Sequence, residues 1–412
     1  MEIVLMIIGD ELLNGEIHDT NSRCIATTLQ EEGYRLSEII TVADEPARIS
    51  SALRRYNQAG CAVIASGGLG PTRDDVTARA AAQAFHLNLC LNDLALKQIQ
   101  NFFRNRGQSC PPGNEKQALL PHKAQIMENS CGSAPGFILS HNNCPVFFLP
   151  GVPHEMEAML RHQVMPILQQ TLPHHFSCRR KVWRTFGVAE AEIEQRLSRL
   201  KLPDGLNLAY RLDFPQVVIK LDCPTTDWER LEQGGKLIEQ ELARFIVARG
   251  HEGLPEVTAR SLILSEQTLA LAESCTGGLI AKLLTDQAGS SAFLVGSAVT
   301  YANSAKQYWL GVPELLLQQH GAVSAECAQA MANGVRQRAH TDLALAVTGI
   351  AGPGGGTDDK PVGTVYIALA TAQHTEVRQH HFSGTREQIR LKTAFTALDW
   401  LRRSVGAPLP GT

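Results

Sequence analysis

The sequence predicts an α/β protein of several domains, and three observations carry that prediction. Apolar stretches of strand length alternate with segments of helical period. The loops directly after several of those stretches are rich in Gly, Asp and Asn. The chain is 412 residues long, where a domain takes roughly 100 to 200.

The elements follow in order. EIVLMII (2 to 8) reads as a buried strand, followed by the polar GDELLNGEIHDTN and the helical SRCIATTLQEEGY. CAVIAS (61 to 66) leads through GGLGPTRDD into VTARAAAQAF, and CPVFFLP (144 to 150) into GVPHEMEAMLRHQVMPILQQ. Strand, polar loop and helix in repetition indicate a largely parallel sheet covered on both faces, so residues 1–170 form a first α/β domain. From 171 to 250 the texture changes: YRLDFPQVVIKLD alternates in part and two amphipathic segments flank it, which predicts a small α+β middle domain.

Residues 251–412 predict a third, α/β domain. Its expected order is helix (VTARSLILSEQ), strand (TLALAES), helix (CTGGLIAKLLTD), strand (SAVTYA), two helices (SAKQYWLG, AECAQAMANGVRQRA) and strand (LALAVTG). A glycine-rich loop, a strand (VGTVYIALA), a terminal helix (REQIRLKTAFTALDWLRR) and a frayed tail at 406–412 complete it. No internal repeat links the first and third domains.

Composition narrows the function. Lys+Arg 38 against Asp+Glu 41 gives a net charge of −3 with no basic stripe, which argues against direct nucleic-acid binding. The ten cysteines include no C-x-x-C pair and fit buried thiols in a reducing compartment. The N-terminal apolar run has no basic flank, and no run approaches the roughly 18 residues of a membrane span. The expectation is a soluble cytoplasmic protein with no membrane partner.

Three loops in the first domain, GDELLNGEIHDTN, SGGLGPTRDD and LPGVPHEM, follow strands and should converge on one edge of a parallel sheet. In the second, Gly67, Gly68 and Gly70 let backbone N–H groups approach an anion, and Thr72 lies in the same loop. Asp74 and Asp75, with Asp10 and Glu11, supply carboxylates for a divalent metal. Taken singly, each loop also reads as an ordinary tight βα turn.

In TLALAESCTGG the serine and cysteine sit where a strand turns into a helix. Ser274 is either a helix cap or a nucleophile whose developing charge would face the helix's free N–H groups. A serine hydroxyl needs a base, and there is no G-x-S-x-G with His and Asp partners. In SAVTYANSAKQYWLGV, Lys306 follows Tyr301 by five residues, so a helix starting near Ser304 could direct its amine back toward the strand's end, while singly the lysine also reads as a surface helix residue and the tyrosine as packing. Cys275 is the competing nucleophile, but His320 is the one nearby candidate for its base, and Cys275 reads instead as a small cysteine packed behind the turn. VTGIAGPGGG, from Gly349 through Ala351 and Gly352, is a loop whose amides could line a phosphate or oxyanion, and it lacks the order of an ATP-binding P-loop. Arg386 and Arg390, four apart, could clamp a phosphate or stay solvated.

GDELLNGEIHDTN, SGGLGPTRDD, GNEKQALLP, APGF and LPGVPHEM together resemble the molybdopterin-binding-type domain at the front of CinA proteins. AESCTGG, VTYANSAK, HGAVS, TGIAGPGGG, KPVGTVY and FSGTREQIR resemble the CinA C-terminal domain. The resemblance implies a three-layer N-terminal domain with a mixed sheet between helices, a small middle domain and a C-terminal nicotinamide mononucleotide deamidase. That last domain would release ammonia in pyridine-nucleotide recycling, with no cofactor.

Carried onto this chain, the family's catalytic residues fall on Ser274, Tyr301 and Lys306. Thr276, Gly349, Ala351, Gly352, Arg386 and Arg390 are then expected at the substrate. The resemblance further implies hydrolysis of ADP-ribose in the front domain with Mg²⁺, Mn²⁺ or Co²⁺ held by Asp10, Glu11 and Asp74. It also implies a homodimer. A pterin- or nucleotide-binding, competence-associated interaction protein without catalysis is the competing reading.

Overall fold

Six consecutive residues, Ile3–Ile8, are all buried and form strand β1. In a computed structural model, which describes residues 1–172, 179–223, 227–250 and 252–406, this strand lies inside a six-stranded sheet. The other strands of that unit are β2 (Leu36–Val42), β3 (Ala62–Ser66), β4 (Leu89–Leu91), β5 (Leu119–Pro121), β6 (Gln125–Met127), β7 (Gly136–His141) and β8 (Cys144–Leu149). The order is β2-β1-β3-β8-β7-β6, with β4 and β5 paired separately.

β1, β2, β3 and β8 run parallel; β7 runs antiparallel to both β8 and β6. The parallel set needs helical crossovers, whereas β7 and β8 are joined only by Asn142 and Asn143. Both asparagines have positive φ (51° and 60°), the conformation of a two-residue hairpin turn. That hairpin makes mixed the sheet that strand–helix alternation alone predicts as parallel. Two apolar layers, one on each face, hold the sheet: Val63, Phe137 and Phe148 on one side, Ile25, Ile64 and Phe147 on the other.

The chain divides into two compact units, Met1–Ser177 and Cys178–Thr412. The segment expected as a middle domain supplies β9 (Arg179–Thr185), β10 (Asn207–Asp213), β11 (Gln216–Cys223) and β12 (Ile246–Arg249), all within the second unit. They form an antiparallel sheet of order β10-β11-β9-β12. Trp183, Ile193, Ile238 and Leu242 pack as its core beneath the helices Glu190–Leu197 and Trp228–Leu242.

The rest of the second unit is a five-stranded sheet of β13 (Leu269–Glu273), β14 (Leu294–Val299), β15 (Leu343–Gly349), β16 (Thr364–Ala370) and β17 (Thr375–His381), in the order β14-β13-β15-β16-β17. β14, β13 and β15 are parallel; β16 and β17 return antiparallel. The sequence reading passes over β17, because the polarity of TEVRQHH, with partly exposed residues throughout, marks an edge strand that carries little apolar signal. The parallel trio directs the C-terminal ends of β13 and β14 to one edge, and β13 is buried along its whole length. Within 406–412, residues 407–412 of the expected tail lie outside the described residues.

Candidate active site

Beyond Glu273, the last residue of β13, the chain turns rather than entering a helix. The Ser274 N–H donates to Val347 O at 3.0 Å and the Gly277 N–H to Ser274 O at 3.1 Å. Gly277 and Gly278 take φ values of +60° and +88°, which side chains disfavour. The helix expected from Cys275 therefore starts only at Leu279 and runs to Thr285.

Its first amides are not free. The Ile280 and Ala281 N–H groups donate to Glu273 Oε2 at 3.1 Å and Oε1 at 2.8 Å. This corrects the idea that the helix end faces a developing charge on Ser274, since a buried carboxylate already occupies it.

Lys306, on the helix Asn303–Leu310, does reach back as the spacing predicts. Only 1% exposed, its Nζ lies 3.0 Å from Ser274 Oγ, 2.7 Å from Thr300 O and 3.1 Å from Tyr301 O. All three partners are neutral oxygens. Burial pushes the amine's pKa below its ordinary value, against a smaller opposing effect of the Cys327 and Cys275 thiols.

Donor and acceptor logic then fixes the roles. The two carbonyls can only accept, so they take the two N–H groups of a neutral amine. The third direction, toward Ser274 Oγ, is left for the lone pair. In the neutral state the serine O–H donates to the lysine; in the charged state the third N–H donates to the serine.

Cys275 does not compete. It is 5% exposed, packs into the apolar core, and burial pushes its thiol up to about 12. His320, its candidate base, is exposed on the helix Glu314–His320, and its Nδ1 lies 3.6 Å from Glu326. Cys327, beside Lys306, is likewise raised by burial, to about 11.

Tyr301 contributes differently than expected. Its carbonyl accepts from Lys306, while its phenol oxygen accepts from Arg386 Nη2 at 2.7 Å and the residue is 60% exposed. Arg386 Nη1 donates to Gly352 O at 2.6 Å. Arg390 donates through Nε and Nη2 to Thr276 O at 3.2 and 2.5 Å.

The two arginines do share a helix face, on Arg386–Ser404. They bind loop carbonyls rather than standing open for a phosphate. Thr276 and Ala351 are 0% and 4% exposed, so neither presents surface to a substrate. At Gly349 a Cβ would come within 2.8 Å of Thr364 O, so that glycine serves the approach of β15 and β16. Of the expected binding set, Arg386 is the residue that remains exposed.

In the first unit, the three loops converge as predicted. They line a cavity of about 360 Å³ whose walls include Glu11, Gly67, Gly68, Gly70, Asp74 and Asp75. Gly67 has φ +117°, and a Cβ there would lie 2.1 Å from Ile8 O. Thr72 turns away from the lining to donate to Asp75 Oδ2 at 2.8 Å (N–H) and 2.5 Å (hydroxyl).

Asp10 is exposed, its N–H donating to Asp44 Oδ2 at 3.0 Å. Asp44, which also lines the cavity, has its pKa raised by burial and by the charges of Asp10, Glu11 and Asp74, against the lowering effect of the Asp10 N–H. Among the described residues no three His, Cys, Asp or Glu side chains come together as a metal-ligand group. The expected set of Asp10, Glu11 and Asp74 surrounds Asp44 electrostatically but does not form a cage, and Asp10 Oδ1 instead accepts from the Asp44 N–H at 3.3 Å.

Sequence reasoning missed Glu273, Asp44 and Gln117. Glu273 had a signal, a lone carboxylate in the otherwise apolar TLALAES. Gln117, 5% exposed, lines the first-unit cavity and its Oε1 has no partner; nothing in GNEKQALLP singles it out.

Residues 251–405 match the model of the CinA C-terminal domain, and residues 4–170 that described as "Probable molybdopterin binding domain". A CinA-like protein of Syntrophotalea carbinolica is 48% identical over 407 residues, covering 98% of this chain and 99% of that one. One of Geobacter sulfurreducens is 50% identical over 408 residues, with coverage of 98% and 99%. Among solved structures, the competence/damage inducible protein CihA of Agrobacterium tumefaciens is 43% identical, covers 38% of this chain and 98% of its own, and has a TM-score of 0.35.

Proposed function

The chain belongs to the CinA family, and on that footing we propose that its second unit is a serine amidohydrolase converting nicotinamide mononucleotide to nicotinate mononucleotide and ammonia. One observation carries the reading: a buried amine with its lone-pair direction on a serine hydroxyl, 3.0 Å away.

Lys306 takes the Ser274 proton as Oγ bonds to the carboxamide carbon. The tetrahedral oxyanion faces backbone N–H groups of the turn after Ser274, because those of Ile280 and Ala281 are occupied by Glu273. The C–N bond then breaks, and the lysine's acquired proton leaves with ammonia. Water, deprotonated by the neutral amine, attacks the acyl ester; its C–O bond breaks as the lysine returns the proton to Ser274 Oγ, and the acid released gives up its own proton to solvent to become the carboxylate. Arg386 and Tyr301 shape the mouth through which the nucleotide enters.

Incubation of the full chain with nicotinamide mononucleotide, assayed for ammonia and for the acid product, tests this. Turnover abolished by Ser274→Ala supports it; a folded wild-type chain that releases no ammonia overturns it.

For the first unit we propose a nucleotide- or pterin-class ligand in the loop-lined cavity. Gln117 Oε1 supports this as a buried acceptor awaiting an N–H or O–H donor. Hydrolysis of ADP-ribose with a divalent metal has weaker support, since the side chains form no ligand group among the described residues. Absence of AMP from ADP-ribose with Mg²⁺, Mn²⁺ or Co²⁺ would remove it. A homodimer in the cytoplasm completes the proposal.

A further inference from the structure

We propose that Glu273 is a positioning residue for the nucleophile: its carboxylate fixes the Ser274–Gly278 turn and thereby the place of Ser274 Oγ against Lys306. The proposal deepens, and rests on, the reading of Ser274 as nucleophile.

Glu273 is 0% exposed and closes an apolar strand. A carboxylate in such a place is costly unless its oxygens are hydrogen-bonded. Both are, to the N–H groups of Ile280 at 3.1 Å and Ala281 at 2.8 Å. Its own carbonyl accepts from the Thr300 N–H at 2.8 Å, and the Thr300 carbonyl in turn accepts from Lys306 Nζ at 2.7 Å.

One residue thus ties three segments: the strand end carrying Ser274, the start of the next helix, and the strand end that holds the base. The residue in the capping position, Gly278, has no side chain to cap that helix. Between the two anchored ends lies a turn containing Gly277 and Gly278, both in left-handed conformation, which has the freedom to re-form differently once one anchor is lost. The carboxylate also sits near the Cys275 thiol and adds, after burial, to holding it protonated.

The test uses full-length Glu273→Gln and Glu273→Asp, with Ser274→Ala as blank, each well below its melting transition. Two quantities are read: the rate at which an arylsulfonyl fluoride labels Ser274, followed by mass, and kcat and KM for nicotinamide mononucleotide. The glutamine can accept from one of the two N–H groups but turns its own NH₂ toward the other. Because a displacement of about 1 Å can cost about a hundredfold in rate, the labelling rate and kcat should fall together by about tenfold or more, with KM within about threefold.

The aspartate keeps the charge but withdraws it by one methylene, and should restore neither rate in full. Wild-type labelling and kcat in folded Glu273→Gln overturn the proposal, as does a change confined to melting temperature or KM. If the glutamine variant does not fold, the aspartate variant decides by the same two rates. Labelling does not depend on the substrate. A wild-type chain labelled at Ser274 that releases no ammonia overturns the substrate reading, and the labelling rates alone then decide the role of Glu273.

Discussion

Lys306 Nζ and Ser274 Oγ, 32 residues apart in sequence, meet at 3.0 Å in the interior, and the amine's other two contacts are carbonyl oxygens. Among the described residues a lysine so placed has no salt-bridge partner to hold its charge, and burial favours its neutral form. Lys306→Met fills similar space without a lone pair and should lower kcat by about 10²- to 10⁴-fold. Lys306→Arg, permanently charged, should do no better. Ammonia release measured beside a thermal melt separates this loss from unfolding; a Met variant with near wild-type turnover would exclude Lys306 as base.

Cys275 gives the complementary expectation. Its thiol, pushed up to about 12 and 5% exposed, carries almost no thiolate at neutral pH. Cys275→Ala should keep kcat within about threefold and cost about 1 kcal/mol of stability through a small core void. Iodoacetamide should leave Cys275 unmodified in the native protein. Loss of all turnover in Cys275→Ala, with Ser274→Ala still active, would reverse the assignment of nucleophile.

Tyr301 separates what its backbone does from what its ring does. The carbonyl accepts from Lys306, but the phenol accepts from Arg386. Tyr301→Phe keeps the first contact and loses only the second, worth about 0.5–1.5 kcal/mol, or roughly threefold to tenfold in kcat/KM. A fall as deep as that of Lys306→Met would instead make the phenol part of the proton path.

The limits of the sequence follow from what sets each contact. The strand TLALAES and the helix bearing Lys306 are local patterns, and both were legible. The turn at 274–278 was not, because two consecutive glycines are compatible with a helix start or with left-handed φ, and Glu273 decides between them through bonds to residues seven and eight positions on. Arg386 and Arg390 read as a phosphate clamp because four-residue spacing places them on one face. Their engagement by Gly352 O and Thr276 O depends on loops that spacing cannot place. Asp44 escaped notice because it follows β2, whose exposed alternation carries little signal.

Asp44 makes a separate prediction for the first unit. Burial first, then the charges of Asp10, Glu11 and Asp74, raise its pKa above the 3.8 of an ordinary aspartate. Its ionisation therefore opposes folding at neutral pH: as pH rises through 3.8 the unfolded chain sheds the proton first, and stability falls until the folded group has titrated. Asp44→Asn retains an acceptor for the Asp10 N–H and should raise the melting temperature at pH 7 by on the order of 1–3 °C. The gain should vanish near pH 3, and a destabilised Asn variant at pH 7 would contradict it.

The lowered pKa of Lys306 predicts an acidic limb in the rate and a sign for its contribution to stability. Only the neutral amine accepts the Ser274 proton, so kcat/KM should rise with pH through the folded-state pKa, which burial sets below 10.5. Between that pKa and 10.5 the unfolded chain binds the proton that the folded chain has lost. The slope of unfolding free energy with pH is then positive, so this residue's contribution becomes more favourable as pH rises across the window and is constant above it. The raised thiols of Cys275 and Cys327 act oppositely above 9.0, because there the folded state holds the protons. The lysine's share is therefore read as a difference, the wild-type stability minus that of Lys306→Met at each pH. That difference should grow in favour of the wild type with rising pH, and the same pKa should mark the limb of kcat/KM. A difference that shrinks with pH would mean the amine stays charged at its buried position, and a kcat/KM that falls as pH rises across the acidic range would exclude it as the base.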